Sequence, residues 1–155
     1  MTGKIDARLK ELGIELPTPA VPRGNYLPVV LSNGFAHVAG QVPFWNNELQ
    51  FVGQVGTDFT VEEGQQAARL CGLNMLAQLK VALEGDLDRI KRAVRLNGFI
   101  RCGPDFDQHP MVINGVSDFM AEIFGESGRH ARSAVGCVSL PLGVAVEVDG
   151  TFEID

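Results

Sequence analysis

The sequence predicts an α+β fold: a mixed β-sheet covered on one face by two helices. Three observations carry this. Strand-like apolar runs and helix-spaced apolar stripes succeed one another in the order β-β-α-β-α-β-β. Asn33-Gly34 stands between the first two runs, the strongest short-range hairpin signal. Two further runs close the chain on either side of Leu140-Pro141-Leu142-Gly143. A length of 155 residues, 45% hydrophobic and 21% charged, suits one globular domain with a sizeable core.

Each element has a local reason. Ile5, Leu9 and Leu12 recur at helical spacing among charges, and Gly13 ends this short helix. Pro17, Pro19 and Pro22 keep the next stretch extended, as a strap on the surface. Residues 1–22 are therefore expected as an N-terminal extension and 23–155 as the domain proper. Strands are expected at 27–31 and 35–42, then a loop at 44–56 containing a short strand at 49–52. Thr60-Val61-Glu62-Glu63 is a capping box, opening a helix to Leu83 with Ala68, Cys71, Met75, Leu79 and Ala82 as its apolar stripe. Residues 91–100 alternate as a strand, with Val94, Leu96, Gly98 and Ile100 on one face and Arg95, Asn97 and Phe99 on the other. Asp107 or His109 is expected to cap a second helix with Pro110 in its first turn. Its inward side is Val112, Val116, Phe119, Met120 and Ile123, and Gly125 to Gly128 end it. In the last strand Val144, Val146 and Val148 alternate with Ala145, Glu147 and Asp149, all in an apolar context. A half-apolar outer sheet face implies a partner.

Composition excludes several classes. A net charge of −6 and a pI near 5.0 argue against a nucleic-acid groove. No apolar run approaches a membrane span, and the charged first residues do not read as a signal peptide, so a cytoplasmic protein with no membrane partner is expected. Cys71, Cys102 and Cys137 have no CxxC spacing and read as reduced, mostly buried thiols. The three histidines, His37, His109 and His130, lack ligand spacing, so no metal is expected. No dinucleotide fingerprint, P-loop or nucleophile elbow is present.

The chemistry concentrates in the last two runs, where Arg132 and Glu147 sit among Val and Ala. Charges there are costly unless paired or given a ligand. A guanidinium fork matches a carboxylate bidentately, so Arg132 reads either as an anchor for a small acid or as one half of an ion pair with Glu147, Asp149 or a second subunit. A carboxylate in an apolar cleft can be poised for proton transfer, so Glu147 reads as an acid–base group or as a solvated strand residue. Tyr26, the only tyrosine, suits a ligand wall or a strand-edge anchor. Gly40 permits close backbone approach to a ligand, or marks a bulge. Asn114 lies opposite the second helix's apolar stripe with Ser117, Asp118 and Ala121, as either a site residue or a solvated one.

Five pieces in order resemble the RidA family, also called YjgF or L-PSP. They are Asn25-Tyr26, the Phe35-to-Pro43 strand with Gly40-Gln41-Val42-Pro43, Asn114, Arg132-Ser133, and Leu140-Pro141 followed by Glu147. The likeness spans residues 23 to 154, and the longer N-terminus resembles one subgroup. The chain departs from the pattern at Asn25, where the family has Pro, at Ala39, where it has Ser, and at Ala134, often Cys. The resemblance implies a chorismate mutase-like fold, a barrel-like homotrimer with clefts between subunits, and no cofactor. It implies hydrolysis of 2-imino or enamino acids to 2-oxo acids and ammonia. Arg132 would hold the carboxylate of the imine substrate, Glu147 with Gly40 would position water, and Tyr26, Asn114 and Ala134 would line the site. A non-catalytic trimer binding a small carboxylate or a client protein is the alternative. The ribonuclease activity ascribed to some relatives fits an acidic chain poorly.

Overall fold

The structure, a computed structural model, describes residues 3–155; the first two residues of the expected extension lie outside it. Strands β1 (Val29–Ser32) and β2 (Phe35–Gln41) form the expected hairpin, with Asn33 and Gly34 both at positive φ, 50° and 79°. The sheet continues through β7 (Val146–Ile154) and β5 (Ile90–Arg101) to β6 (Ala131–Cys137), in the order β1-β2-β7-β5-β6. Its pairs are antiparallel except β5 with β6, which is parallel. A parallel pair needs a crossover, and helix α3 (His109–Phe124) supplies it. Helices α2 (Val61–Ala82) and α3 pack together over one sheet face, as expected. A short α1 (Lys4–Glu11) lies against α3.

The Thr60 capping box forms as expected, the hydroxyl accepting from Glu63 N–H at 3.1 Å and the Glu63 carboxylate accepting from Thr60 N–H at 2.7 Å. α2 is buried on more than its expected stripe, with Asn74 and Gln78 also in the interior. The two helices approach closely because Gly115 of α3 lies directly on the Gln65 backbone, where a Cβ has no room. Phe119, Phe152, Met75, Leu76, Leu79, Leu96 and Ile100 fill the space between helices and sheet.

Four local expectations are corrected. The strand expected at 49–52 is the second arm of a small hairpin, β3 (Phe44–Trp45) with β4 (Glu48–Leu49). Asn46 and Asn47, at φ 48° and 70°, turn the chain earlier than the glycines that follow. The first sheet strand starts at Val29 rather than residue 27. Register shifts between Ile90 and Arg92 and between Ala93 and Arg95 bring Ala93, not Val94, to the buried side with Leu96. The N-cap of α3 is Gln108, with no side-chain cap from Asp107 or His109.

The extension is part of the packing. Leu9 joins the core, and the proline strap is tied to the body by two side chains. Gln78 Nε2 donates to Ala20 O at 2.8 Å, and Asn46 Oδ1 accepts from Thr18 N–H at 2.9 Å. No described helix is long and apolar enough to cross a membrane. The sheet face away from the helices is mixed. Phe35 and Val135 are exposed on it beside a polar ladder in which Arg95 donates to Ser133 and Asn97, and Asn97 donates to Asp149.

Candidate functional site

The sequence-predicted residues fall into two groups. Along β7, Val146 and Val148 point to the helices, and Glu147 leaves on the opposite face. The β2–β7 register shifts between Val38 and Gln41, a bulge that turns Gly40 to the side of Glu147. Gly40 lies directly against the Glu147 carboxylate: a Cβ there would meet Oε1 and push the side chain aside. Together they line a cavity of about 470 Å³ with Tyr26, Gln41, Gln78 and the strap residues from Ala20 to Arg23. The Glu147 carboxyl is half-buried and accepts no hydrogen bond from the described residues. Its pKa is pushed up, first by burial and then by the neighbouring Asp149 carboxylate. An acid held in this way takes up a proton more readily than a solvated carboxylate does.

The second group sits on β6, two strands away from β7 and at the sheet edge. In the parallel register Arg132 lies opposite Leu96 and Ala134 opposite Gly98, so both face the helices. Arg132 Nη1 donates to Asn114 Oδ1 and to Ser117 Oγ, each at 2.9 Å, and Nη2 donates to Pro110 O at 3.3 Å. All three acceptors are neutral. No carboxylate among the described residues pairs with Arg132, and the possible ion pair with Glu147 or Asp149 is not made. Ser117 Oγ is also 3.0 Å from His130 Nε2, while His130 Nδ1 is 2.8 Å from Gly128 O. Burial holds the His130 pKa below its ordinary value, and the Arg132 charge adds to this. A neutral ring with its proton on Nδ1 then donates to Gly128 and accepts the Ser117 hydroxyl, which frees the Ser117 lone pairs for Arg132. The result is an oriented cation with unmatched charge.

One chain thus brings together Tyr26, Gly40 and Glu147, and separately Arg132, Asn114 and Ala134. It does not bring the two groups together. Sequence reasoning overlooked Ser117 and His130 as supports and Arg23, Gln41 and Gln78 as cavity walls. Ser117 could have been found, since it stands one helical turn after Asn114. His37 lies on the open face near Thr151, and His109 packs against Phe106 and Cys102. Among the described residues no cluster of His, Cys, Asp or Glu is placed to hold a metal ion.

A mixed sheet with two helices on one face makes this an α+β domain, with a half-buried acid in a cavity and an arginine bonded only to neutral acceptors on the edge strand. The family model described as "YjgF/chorismate mutase-like, putative endoribonuclease" matches residues 6–149, and the chain belongs to that family. It is 47% identical to protein TCP17 of Trypanosoma cruzi over 155 residues, covering 99% of this chain and 96% of that one. A crystal structure of a protein of unknown function from Agrobacterium tumefaciens superposes with TM-score 0.91 at 47% identity, covering 98% of this chain and 93% of that one. A "putative endoribonuclease" from Shewanella oneidensis gives TM-score 0.93 at 39% identity, covering 97% and 99%.

Proposed function

We propose that this chain hydrolyses short 2-imino or enamino acids to 2-oxo acids and ammonia, at a site completed between copies in a homotrimer. The observation that carries this is the state of Arg132, a fixed cation held only by neutral acceptors. Such a charge is stabilised by an anionic ligand, and its planar fork matches a carboxylate. The exposed outer edge of β6 and the half-apolar open face support contact with another copy. Arg132 of one copy would then meet the Tyr26–Gly40–Glu147 cavity of the next.

The reaction needs little machinery. Arg132, steadied by Asn114 and Ser117, holds the carboxylate. Water attacks the C=N carbon of the imine, already protonated on nitrogen by solvent, forming a C–O bond while one water proton passes to Glu147. Glu147 returns that proton to the carbinolamine nitrogen, the C–N bond breaks as ammonia leaves, and the hydroxyl proton passes to Glu147 and on to solvent as the carbonyl forms. Imines hydrolyse in water unaided, so orientation and one acid–base group suffice.

An amino acid oxidase generates 2-iminobutyrate, and semicarbazide traps what remains. Wild-type protein is expected to shorten the life of the imine, and Arg132→Ala to abolish the effect. No acceleration by a folded, assembled protein would remove this reading in favour of ligand binding without turnover. Acceleration that survives Arg132→Ala would show that the carboxylate is held elsewhere.

A further inference from the structure

The cavity beside Glu147 has a cation of its own in its wall. Arg23, the last strap residue on the cavity wall, has no hydrogen bond and no carboxylate partner among the described residues. Among the described residues every other arginine donates at least one hydrogen bond, and Arg23 alone donates none. It is also held in place. Its Cζ lies 5.9 Å from the Phe44 ring centroid, a cation–π arrangement. Phe44 is itself pinned, its carbonyl accepting from the buried Asn74 amide at 2.8 Å. The strap carrying Arg23 is fixed three residues earlier by Gln78.

Arg23 and Glu147 line the same cavity without pairing. A cavity of about 470 Å³ exceeds what a four-carbon acid fills. The same walls include Tyr26, Pro28 and Val42, suited to a short carbon chain.

We propose that the strap cavity receives the far end of a 2-imino dicarboxylic acid, Arg23 binding its second carboxylate while the reacting end lies at Glu147. This rests on the hydrolase reading and narrows its substrate class. A single guanidinium fork presents two parallel donors, which a carboxylate fills completely; a phosphate would leave charge unmatched. Arg23 acts here on specificity and takes no part in the bond changes.

The test is equilibrium binding of two stable 2-oxo acids of equal chain length, 2-oxoglutarate and 2-oxovalerate, by calorimetry. Wild-type protein is expected to bind the dicarboxylate at least tenfold more tightly. Arg23→Gln is expected to erase that preference while leaving 2-oxovalerate within twofold, and Arg23→Lys to keep part of it. Equal affinities in the wild type, or a preference that survives Arg23→Gln, would overturn the proposal. Loss of both ligands on Arg23→Gln would assign Arg23 to strap packing and overturn it equally. Because binding needs no turnover, an Arg23-dependent preference in a protein inert toward imines would sink the hydrolase and keep the subsite. Imine hydrolysis with no such preference would do the reverse.

Discussion

Arg132 and Glu147 are held in opposite ways. Arg132 is fixed by specific bonds: its guanidinium is wired to Asn114 and Ser117, and through Ser117 to His130 and Gly128. Glu147 is fixed by exclusion: it accepts no hydrogen bond from the described residues, stands against a glycine and is tuned by burial. The contrast teaches a division of labour. A group that must hold a ligand in one orientation needs directional bonds, and a group that must change protonation needs freedom from them.

The sharpest way to break this comparison is to separate its halves. If they come from neighbouring copies, Arg132→Ala and Glu147→Gln chains are each inactive alone. Unfolded together in equal amounts and refolded, they should recover about a quarter of wild-type activity, since a random trimer pairs one intact half with the other at that frequency. No recovery by refolded, assembled protein would show that Arg132 and Glu147 do not serve one shared site.

Glu147→Gln taken alone should lower kcat by about 100-fold or more while leaving 2-oxo acid binding within a few-fold. It should also change stability in a defined direction. Because the Glu147 pKa is raised in the folded chain, the wild type holds this proton more tightly folded than unfolded. That contribution is complete below the ordinary carboxyl value of about 4.3 and is lost as pH rises through the raised value. The Glu147→Gln protein should therefore gain Tm relative to wild type as pH climbs from 4 to 7. A Tm difference that does not vary with pH would show that burial does not control this acid.

Gly40→Ala tests the glycine contact. The new Cβ meets only the far end of a flexible carboxylate, which can swing aside. The expected result is a loss of about tenfold in kcat, from misplacement, with Tm nearly unchanged. A large fall in Tm would mean that the bulge, and not Glu147, needs the glycine.

The smallest effect concerns His130, whose pKa is lowered by burial and by Arg132. Its contribution to stability is present above the ordinary value of about 6.5 and is lost as pH falls toward the lowered one, because the unfolded chain binds that proton more tightly. Protonated His130 can no longer accept from Ser117. KM should rise two- to threefold on the acid side in the wild type, and this rise should flatten in His130→Gln. An unchanged acid limb would remove His130 from the support of Arg132.

Much of the fold was legible because its signals are local. Asn33-Gly34, the Thr60–Glu63 box and the alternation of β7 each act over a few residues. The bulges in β5 escaped, since they are settled by pairing with β7 rather than by the strand alone, whereas a bulge at Gly40 in β2 was one of two readings the residue allowed. The candidate residues could be named, but their grouping could not. Whether Arg132 faces the helices depends on its parallel register with β5, set by α3 and invisible in the local pattern. Arg23 was passed over because nothing in a proline-rich stretch indicates that Gln78 and Asn46 fasten it over Gly40 and Glu147.

The strap also bears on how the protein comes apart. Its bond to the body joins Ala20 to Gln78, 58 positions along the chain, and Thr18 reaches Asn46 across 28. Side-chain bonds from Asn46 and Gln78 and the packing of Ile14, Leu16 and the buried Pro17 hold it, but no strand pairing does, while the sheet beneath is laddered through five strands. Opening of this segment therefore costs much less than global unfolding. In mild denaturant the wall should detach while the sheet stays paired, leaving a folded protein that has lost its cavity. Ligand affinity should then fade at lower denaturant than the main unfolding transition, and amide exchange in the strap should report the earlier event.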